Sequence, residues 1–472
     1  MSTRPVLLSA CVVALAASGQ APAHAAAIRQ LDGSAGCFEM RGEYGCAKGN
    51  GTQVMSAVAV APGGRHVYAT SGYEDFGALL SFRRNPATGA LSQFPGKRGC
   101  ISNDGRNGQA NLDVKAGIGV KNRCADGRAL AQASALQIAP DGRTIYVLGT
   151  ASFRRDGDSV AVLRRDPQTG AVSEIQCWSR LKSKGCHPMP VSEPGTMALT
   201  PDGRELILGG GSLTTFTVGA DGKLSAPACV LLGGFAEDCP GAAHEAVPSF
   251  AHALAASPDG NTLYAAYGDP FDGQLVTFAR DPATGVLTRG ACFATQGSVC
   301  ARARALKGAG DLAVTASGVY VAASALESPD AGRDILHSSA LLAFTSSPFA
   351  QLPGPSGCLL RSGADKNPGC GTAGGLREAF AIALTPDGTH VLATFADSGA
   401  LVLLARDATT QALSRVAGPA GCVAQRNRAI SHPVAGCRHG RALLFPFAVA
   451  VAPDARSAYA VTVDGLVVLA LR

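Results

Sequence analysis

The amino-acid sequence predicts an all-β protein: a seven-bladed β-propeller of four-stranded antiparallel blades, its ring closed by an N-terminal strand that completes the last blade. Three observations carry this: a tight-turn signature that recurs seven times, a second turn signature that follows it in most copies, and seven sequence-local couples made by fourteen of the fifteen cysteines, all but Cys11. Self-similarity of this kind marks a repeat architecture and overrules the count of about three domains that length alone suggests. Composition agrees, since 46% hydrophobic and only 16% charged residues describe a chain with a large buried core rather than a disordered one.

Residues 1–25 read as a secretory signal peptide. Arg4 opens it, residues 6–17 form an apolar run too short to span a bilayer, and Ala23-His24-Ala25 supplies a small-residue cleavage site. Leu8-Ser9-Ala10-Cys11 resembles a lipidation box, but the apolar run continues past the cysteine. Residues 26–472 are then expected to form a single propeller domain, a monomer, secreted or periplasmic where the source has an outer membrane. No later segment approaches the length of a membrane span. The charge of +6 is the small difference between 41 basic and 35 acidic residues, spread without runs, which excludes a nucleic-acid partner.

The first turn reads Ala61-Pro62-Gly63-Gly64, Ala139-Pro140-Asp141-Gly142, Thr200-Pro201-Asp202-Gly203, Ser257-Pro258-Asp259-Gly260, Thr315-Ala316-Ser317-Gly318, Thr385-Pro386-Asp387-Gly388 and Ala452-Pro453-Asp454-Ala455. A short apolar run precedes each, and a β-branched and aromatic run follows, as in Thr144-Ile145-Tyr146-Val147. Proline presets φ and Asp-Gly completes the reversal, so each copy is a hairpin. Third strands follow at 79–82, 160–163, 275–278 and 401–404. They end in Asn85-Pro86-Ala87-Thr88-Gly89, Asp166-Pro167-Gln168-Thr169-Gly170, Asp281-Pro282-Ala283-Thr284-Gly285 and a weaker copy at 407–411, from which a fourth strand returns. After Pro453 only two further strands fit before Arg472, whereas residues 28–46 resemble the fourth-strand segment at 413–437, so the N-terminus completes the ring. Arg83-Arg84 and Arg164-Arg165 end third strands and read as solvated edge charges.

The cysteine couples are Cys37 and Cys46, Cys100 and Cys124, Cys177 and Cys186, Cys229 and Cys239, Cys292 and Cys300, Cys358 and Cys370, Cys422 and Cys437. Their spacing lacks the C-x-x-C knuckles and matched histidines of zinc sites, and the export signal implies an oxidising compartment, so disulfides are expected. Each would pin the connection between one blade's outer strand and the next blade's inner strand.

The Ser-Pro-Asp-Gly hairpin with its following tyrosine, residues 257–264, and the Arg-Asp-Pro-x-Thr-Gly turn, residues 280–285, resemble the lactonase-like seven-bladed propellers. That family includes 6-phosphogluconolactonases and carboxymuconate-cyclising enzymes. The resemblance covers the mature chain and implies a site at the channel mouth, where the family carries Pro-His at the start of innermost strands. Aligning the repeats puts Ser56, Ser134, Gly195, His252, Gly310, Phe380 and Phe447 at the histidine position, so only His252 keeps the imidazole. The resemblance makes His252 a general acid or base, Glu378 its orienter or a water activator, and Arg377 or Arg441 a clamp for a carboxylate or oxyanion. His244-Glu245 could serve the same mouth. The plainer reading of these residues is a hydrogen-bonded structural histidine and solvated loop charges.

No cofactor is implied by any motif. A structural Ca²⁺ is the one candidate, from Glu74, Asp75, Asp156, Asp158, Asp269, Asp272, Glu327, Asp330 and Asp334 in loops between second and third strands. Two functions follow. The favoured one is a secreted, disulfide-stapled binding or scaffold module that takes an unidentified protein, glycan or small molecule on its loop face. The alternative is a lactonase-like hydrolase or cyclase around His252. A polar mouth would favour the enzyme, and an apolar plug of Phe380 and Phe447 the binder.

Overall fold

The computed structural model describes residues 27–472 except 111, 152–156, 182, 184, 190–193, 226, 232–249, 269–271, 297–298, 328–335, 362–368, 373, 375–376, 427–429 and 431–432. Seven sheets are present among the described residues. Their innermost strands are Met55–Val60, Ala133–Ile138, Thr196–Leu199, Ala251–Ala256, Ala309–Val314, Ala379–Leu384 and Ala448–Val451, which we number as blades 1 to 7. Each innermost strand touches the next, and that of blade 7 touches that of blade 1, so the sheets form a closed ring. The last sheet takes its outer strand from the other end of the chain: Ile28–Gln30 pairs antiparallel with Gly465–Leu471, Ile28 opposite Leu471, and Cys37–Glu39 continues along the same strand. The expected closure is therefore observed.

Blade 2 shows why the repeat folds as it does. Its strands Ala133–Ile138, Thr144–Ala151, Gly157–Arg165 and Val172–Ser179 are consecutive antiparallel neighbours. In the first turn, Gly142 sits at φ +66° and donates its N–H to Ala139 O at 2.8 Å. That left-handed conformation suits glycine. In the second, the Asp166 carboxylate accepts from the N–H groups of Gln168 and Thr169 at 2.8 and 3.0 Å, which holds its pKa below the ordinary carboxylate value. Blade faces carry fully buried Tyr68, Tyr146, Tyr320, Tyr459, Phe82 and Phe344 into the layers between sheets.

Outer strands depart from the simple repeat in two ways. In blades 1, 5, 6 and 7 they are split by a short 3₁₀ turn that ends in Gly-Cys: Leu91–Gln93 and Cys100–Ser102, Phe349–Gln351 and Cys358–Leu360, Leu413–Arg415 and Cys422–Gln425, Ile28–Gln30 and Cys37–Glu39. In six blades a further short strand then pairs parallel with the outer one, as Ala125–Asp126 does with Cys100–Ser102. So short a parallel return is unusual. A disulfide closes each: Cys37–Cys46, Cys100–Cys124, Cys177–Cys186, Cys292–Cys300, Cys358–Cys370 and Cys422–Cys437, all with Cα separations of 4.7 to 5.0 Å. The Cys229–Cys239 couple involves residue 239, which lies outside the described residues. Six disulfides imply an oxidising compartment. Among the described residues, no helix is long and apolar enough to cross a membrane.

At the foot of the ring, where the Pro-Asp-Gly turns lie, arginines latch neighbouring blades together, three of them buried and Arg406 half-buried. Arg84 of blade 1, only 3% exposed, donates to Tyr459 Oη of blade 7 at 2.8 Å, to Gly64 O at 2.9 Å and to Asp454 Oδ2 at 2.7 Å. Arg165 of blade 2 holds Tyr68 Oη at 2.9 Å and His66 Nδ1 at 2.8 Å, and Arg406 of blade 6 holds Tyr320 Oη at 2.6 Å. Blade 3 has Ile207 where its neighbours have tyrosine. There Arg280 of blade 4 is received instead by Glu205 at 2.7 Å and Asp202 at 3.2 Å. The expectation of solvated edge charges is thus corrected for one member of each pair. Successive strand residues face opposite ways, which leaves Arg83 and Arg164 in solvent and buries Arg84 and Arg165.

Candidate functional site

The opposite end of the ring is the mouth, where chain connections between blades enter the innermost strands. Five of these strands begin with a register shift: between Met55 and Ala57, Ala133 and Ala135, Ala251 and Ala253, Ala309 and Asp311, Ala379 and Ile382. The extra residues are Ser56, Ser134, His252, Gly310 and Phe380 with Ala381, so the aligned histidine position is a β-bulge. A bulge leaves one residue out of the ladder and re-aims its side chain. In the regular blades 3 and 7, Gly195 and Phe447 stand just before the strand.

His252 is exposed on this rim. Ser56 donates to Ala133 O at 2.8 Å and so ties blade 1 to blade 2. Phe380, 42% exposed, meets Phe447 edge to face with ring centroids 5.3 Å apart.

Glu378 has φ +58°, and its carbonyl accepts the Ala396 N–H at 2.8 Å. Val54, Gln132 and Phe445 share the left-handed backbone two residues before their own rim positions, with φ of 43°, 47° and 47°. The conformation is therefore a device of the fold that feeds the chain into the bulge. Arg377 donates its backbone N–H to Ser398 Oγ at 3.0 Å. His252 belongs to blade 4 and Glu378 leads into blade 6, so blade 5 stands between them.

Arg441 bonds to the N-terminal segment that closes the ring. Its guanidinium donates to Gly33 O at 2.8 Å and Tyr44 O at 3.1 Å, and its N–H to Gln30 Oε1 at 2.8 Å. These partners belong to the outer part of blade 7, so Arg441 staples the ring closure. Arg304 repeats the arrangement one blade pair earlier, on Gly354 O, Gly369 O and Gln351. The signal for it was a third repeat: Gln30, Gln93 and Gln351 each stand seven residues before a Gly-preceded cysteine.

Between His252 and Glu378 in ring order lies a carboxylate the sequence reading passed over. Asp311 follows the Gly310 bulge and accepts the Ile382 N–H of blade 6 at 2.8 Å and the Leu312 N–H at 2.9 Å. Burial pushes its pKa up to about 6, against the opposing pull of those two N–H donors. A lone acidic residue directly after the aligned histidine position, in an otherwise apolar strand, was the available clue.

The other expected residues divide. Asp272 accepts the Gly273 N–H at 2.7 Å, and Asp158 is fully buried. Asp156, His244, Glu245, Asp269, Asp330 and Asp334 lie outside the described residues, as does the side chain of Glu327. Among the described residues, no three histidine, cysteine or acidic groups gather as a metal site would require.

No protein-family profile and no curated protein matches the sequence. Solved structures do match in fold. Hydrazine synthase of Kuenenia stuttgartiensis aligns at a TM-score of 0.50 and 13% identity over 90% of this chain and 97% of that one. A candidate 6-phosphogluconolactonase of Bacteroides uniformis aligns at 0.47 and 16% identity over 81% and 84% of the two chains. One from Bacteroides fragilis aligns at 0.47 and 14% identity over 87% of each. The chain is a seven-bladed propeller stapled by disulfides, and at these identities the similarity speaks to fold alone.

Proposed function

We propose that the protein is an exported, non-enzymatic binding module that takes a protein, glycan or small-molecule ligand on its disulfide-pinned mouth face. The observation that carries this reading is the Phe380–Phe447 pair, which puts an exposed apolar contact where a hydrolytic site of this fold would need converging polar groups. The occupation of Arg441 in the ring closure supports it, because that guanidinium is committed to backbone carbonyls. Residues 1–25 fit export as a signal peptide, with residues 26–472 as the mature domain. The test pairs a glycan and protein-ligand screen of the oxidised protein with a Phe380→Ser/Phe447→Ser variant. Binding that the variant loses while staying folded is the expected result.

A lactonase-like hydrolase is the second reading, and Asp311 is the observation in its favour. A carboxyl group with a pKa of about 6, beside the mouth, is suited to proton transfer near neutral pH. Turnover of simple or phosphorylated sugar lactones, abolished in both His252→Ala and Asp311→Asn, would establish it and overturn the binding reading.

A further inference from the structure

Three slots at the foot of the ring lack a latch arginine, and the one between blades 2 and 3 is left unfilled. Backbone pairing identifies the missing residue: Val218 donates its N–H to Arg204 O at 2.7 Å just as Arg84 does to Arg65 O at 2.8 Å and Arg165 to Arg143 O at 2.7 Å. Val218 of blade 3 therefore stands where a guanidinium should reach across to blade 2.

The receiving groups are nevertheless in place. Tyr146 occupies the position of Tyr68 and Tyr459, its hydroxyl donating to Gly222 O at 2.9 Å as Tyr459 does to Gly89 O at 2.8 Å. Asp141 occupies the position from which Asp454 receives Arg84 and Asp202 receives Arg280. Asp141 Oδ1 accepts the Arg143 N–H at 2.8 Å, which leaves Oδ2 available. Gly203 matches the glycines whose carbonyls take Arg84, Arg280 and Arg406. Among these groups lies a cleft of about 510 Å³, lined by Asp141, Tyr146, Gly203, Val218 and Gly222.

The two other interfaces without arginine are closed by apolar side chains. Phe349 packs on Tyr264 with centroids 5.7 Å apart, and Leu471 shares a core cluster with Leu392. The cleft between blades 2 and 3 has no such filling. Its rim carries exposed Arg143, Arg164 and Arg204, and buried Arg165 also lines it, but positive neighbours do not exclude a guanidinium here. The slot holding Arg165 is ringed by the equivalent Arg65, Arg83 and Arg143, and it lacks even the carboxylate, since Gly63 stands at the position of Asp141. There Arg165 is held by Tyr68, His66 and Gly142 alone.

We propose that this cleft is a binding site for an alkylguanidinium group supplied from outside the chain, received by Asp141, the Tyr146 hydroxyl and the Gly203 carbonyl as the other latches receive their own arginines. The site is independent of the mouth, and its test does not depend on how the mouth is read.

The experiment titrates oxidised full-length protein with N-acetyl-arginine amide, agmatine and N-acetyl-lysine amide by calorimetry. Saturable binding of the arginine amide is expected, with the lysine amide weaker by about tenfold or more because an ammonium lacks the planar fork. Asp141→Asn should weaken binding by about tenfold, and Val218→Arg, which fills the slot in cis, should abolish it while circular dichroism shows a native fold. Equal binding of agmatine would identify a free alkylguanidine as the ligand, and preference for the arginine amide would identify an arginine of a polypeptide. Absence of saturable binding, equal affinity for the lysine amide, or affinity unchanged in Asp141→Asn would overturn the proposal.

Discussion

Arg83 and Arg84 are adjacent in sequence and chemically identical, yet replacing each with methionine should have very different consequences. The Arg84 side chain is 1% exposed and bonds Tyr459, Gly64, Ser457 and Asp454, so its loss leaves the carboxylate and two hydroxyl-bearing side chains facing a gap between blades 1 and 7. Breaking a buried ion pair from one side costs about 3–5 kcal/mol. Asp454 is 33% exposed and can rehydrate, which places the expected loss at the lower end, about 3 kcal/mol. Arg83 lies in solvent with its guanidinium 5.6 Å from the Phe94 ring, and Arg83→Met should cost no more than about 1 kcal/mol. Urea unfolding of oxidised protein, followed by circular dichroism and by the emission of Trp178, measures both. Equal losses in the two variants would refute the latch and restore the simpler picture of two edge charges.

Other predictions follow from the same geometry. Asp311 binds its proton more tightly in the fold than in the unfolded chain, so stability should fall as pH rises from about 4 to about 6, by at most about 3 kcal/mol, and Asp311→Asn should flatten that slope. His66 has the opposite sign: burial first, then Arg165, Arg83 and Arg65, bring its pKa from 6.5 to about 4, so stability should fall as pH drops through that window, and His66→Gln should remove the loss. Thermal melts across pH separate the two. Ala455 closes the degraded seventh turn at φ +55°, so Ala455→Gly should stabilise by about 1 kcal/mol in denaturant titrations, and no gain would mean the turn bears no strain. Removing Cys100–Cys124, which spans 24 residues, should cost about 0.9 kcal/mol more than removing Cys177–Cys186, which spans 9, when paired alanine variants are unfolded in urea.

Turn chemistry and cysteine spacing are local, and both were legible in the sequence. Gly142 and Gly170 are needed where the backbone takes positive φ, and such needs recur wherever the blade recurs. Counting them yields seven blades, the closure by residues 28–46, and the near-neighbour pairing observed in six of the cysteine couples. His252 was likewise found at the rim because its repeat offset is a backbone property, the bulge.

What a side chain reaches across a blade boundary was not legible. Arg84 and Tyr459 are 375 positions apart and Arg441 and Gly33 are 408, and the residues beside either arginine do not say which partner it reaches. Only the closed ring brings these elements side by side. The same holds for Asp311, whose chemistry depends on an N–H from the next blade and on the burial that ring packing imposes, and for Val218, whose importance lies in the arginine that it is not. Local sequence determined the repeat because turns and bulges are decided within a few residues. Tertiary structure decided the charges, because burial and partners are properties of the assembled ring.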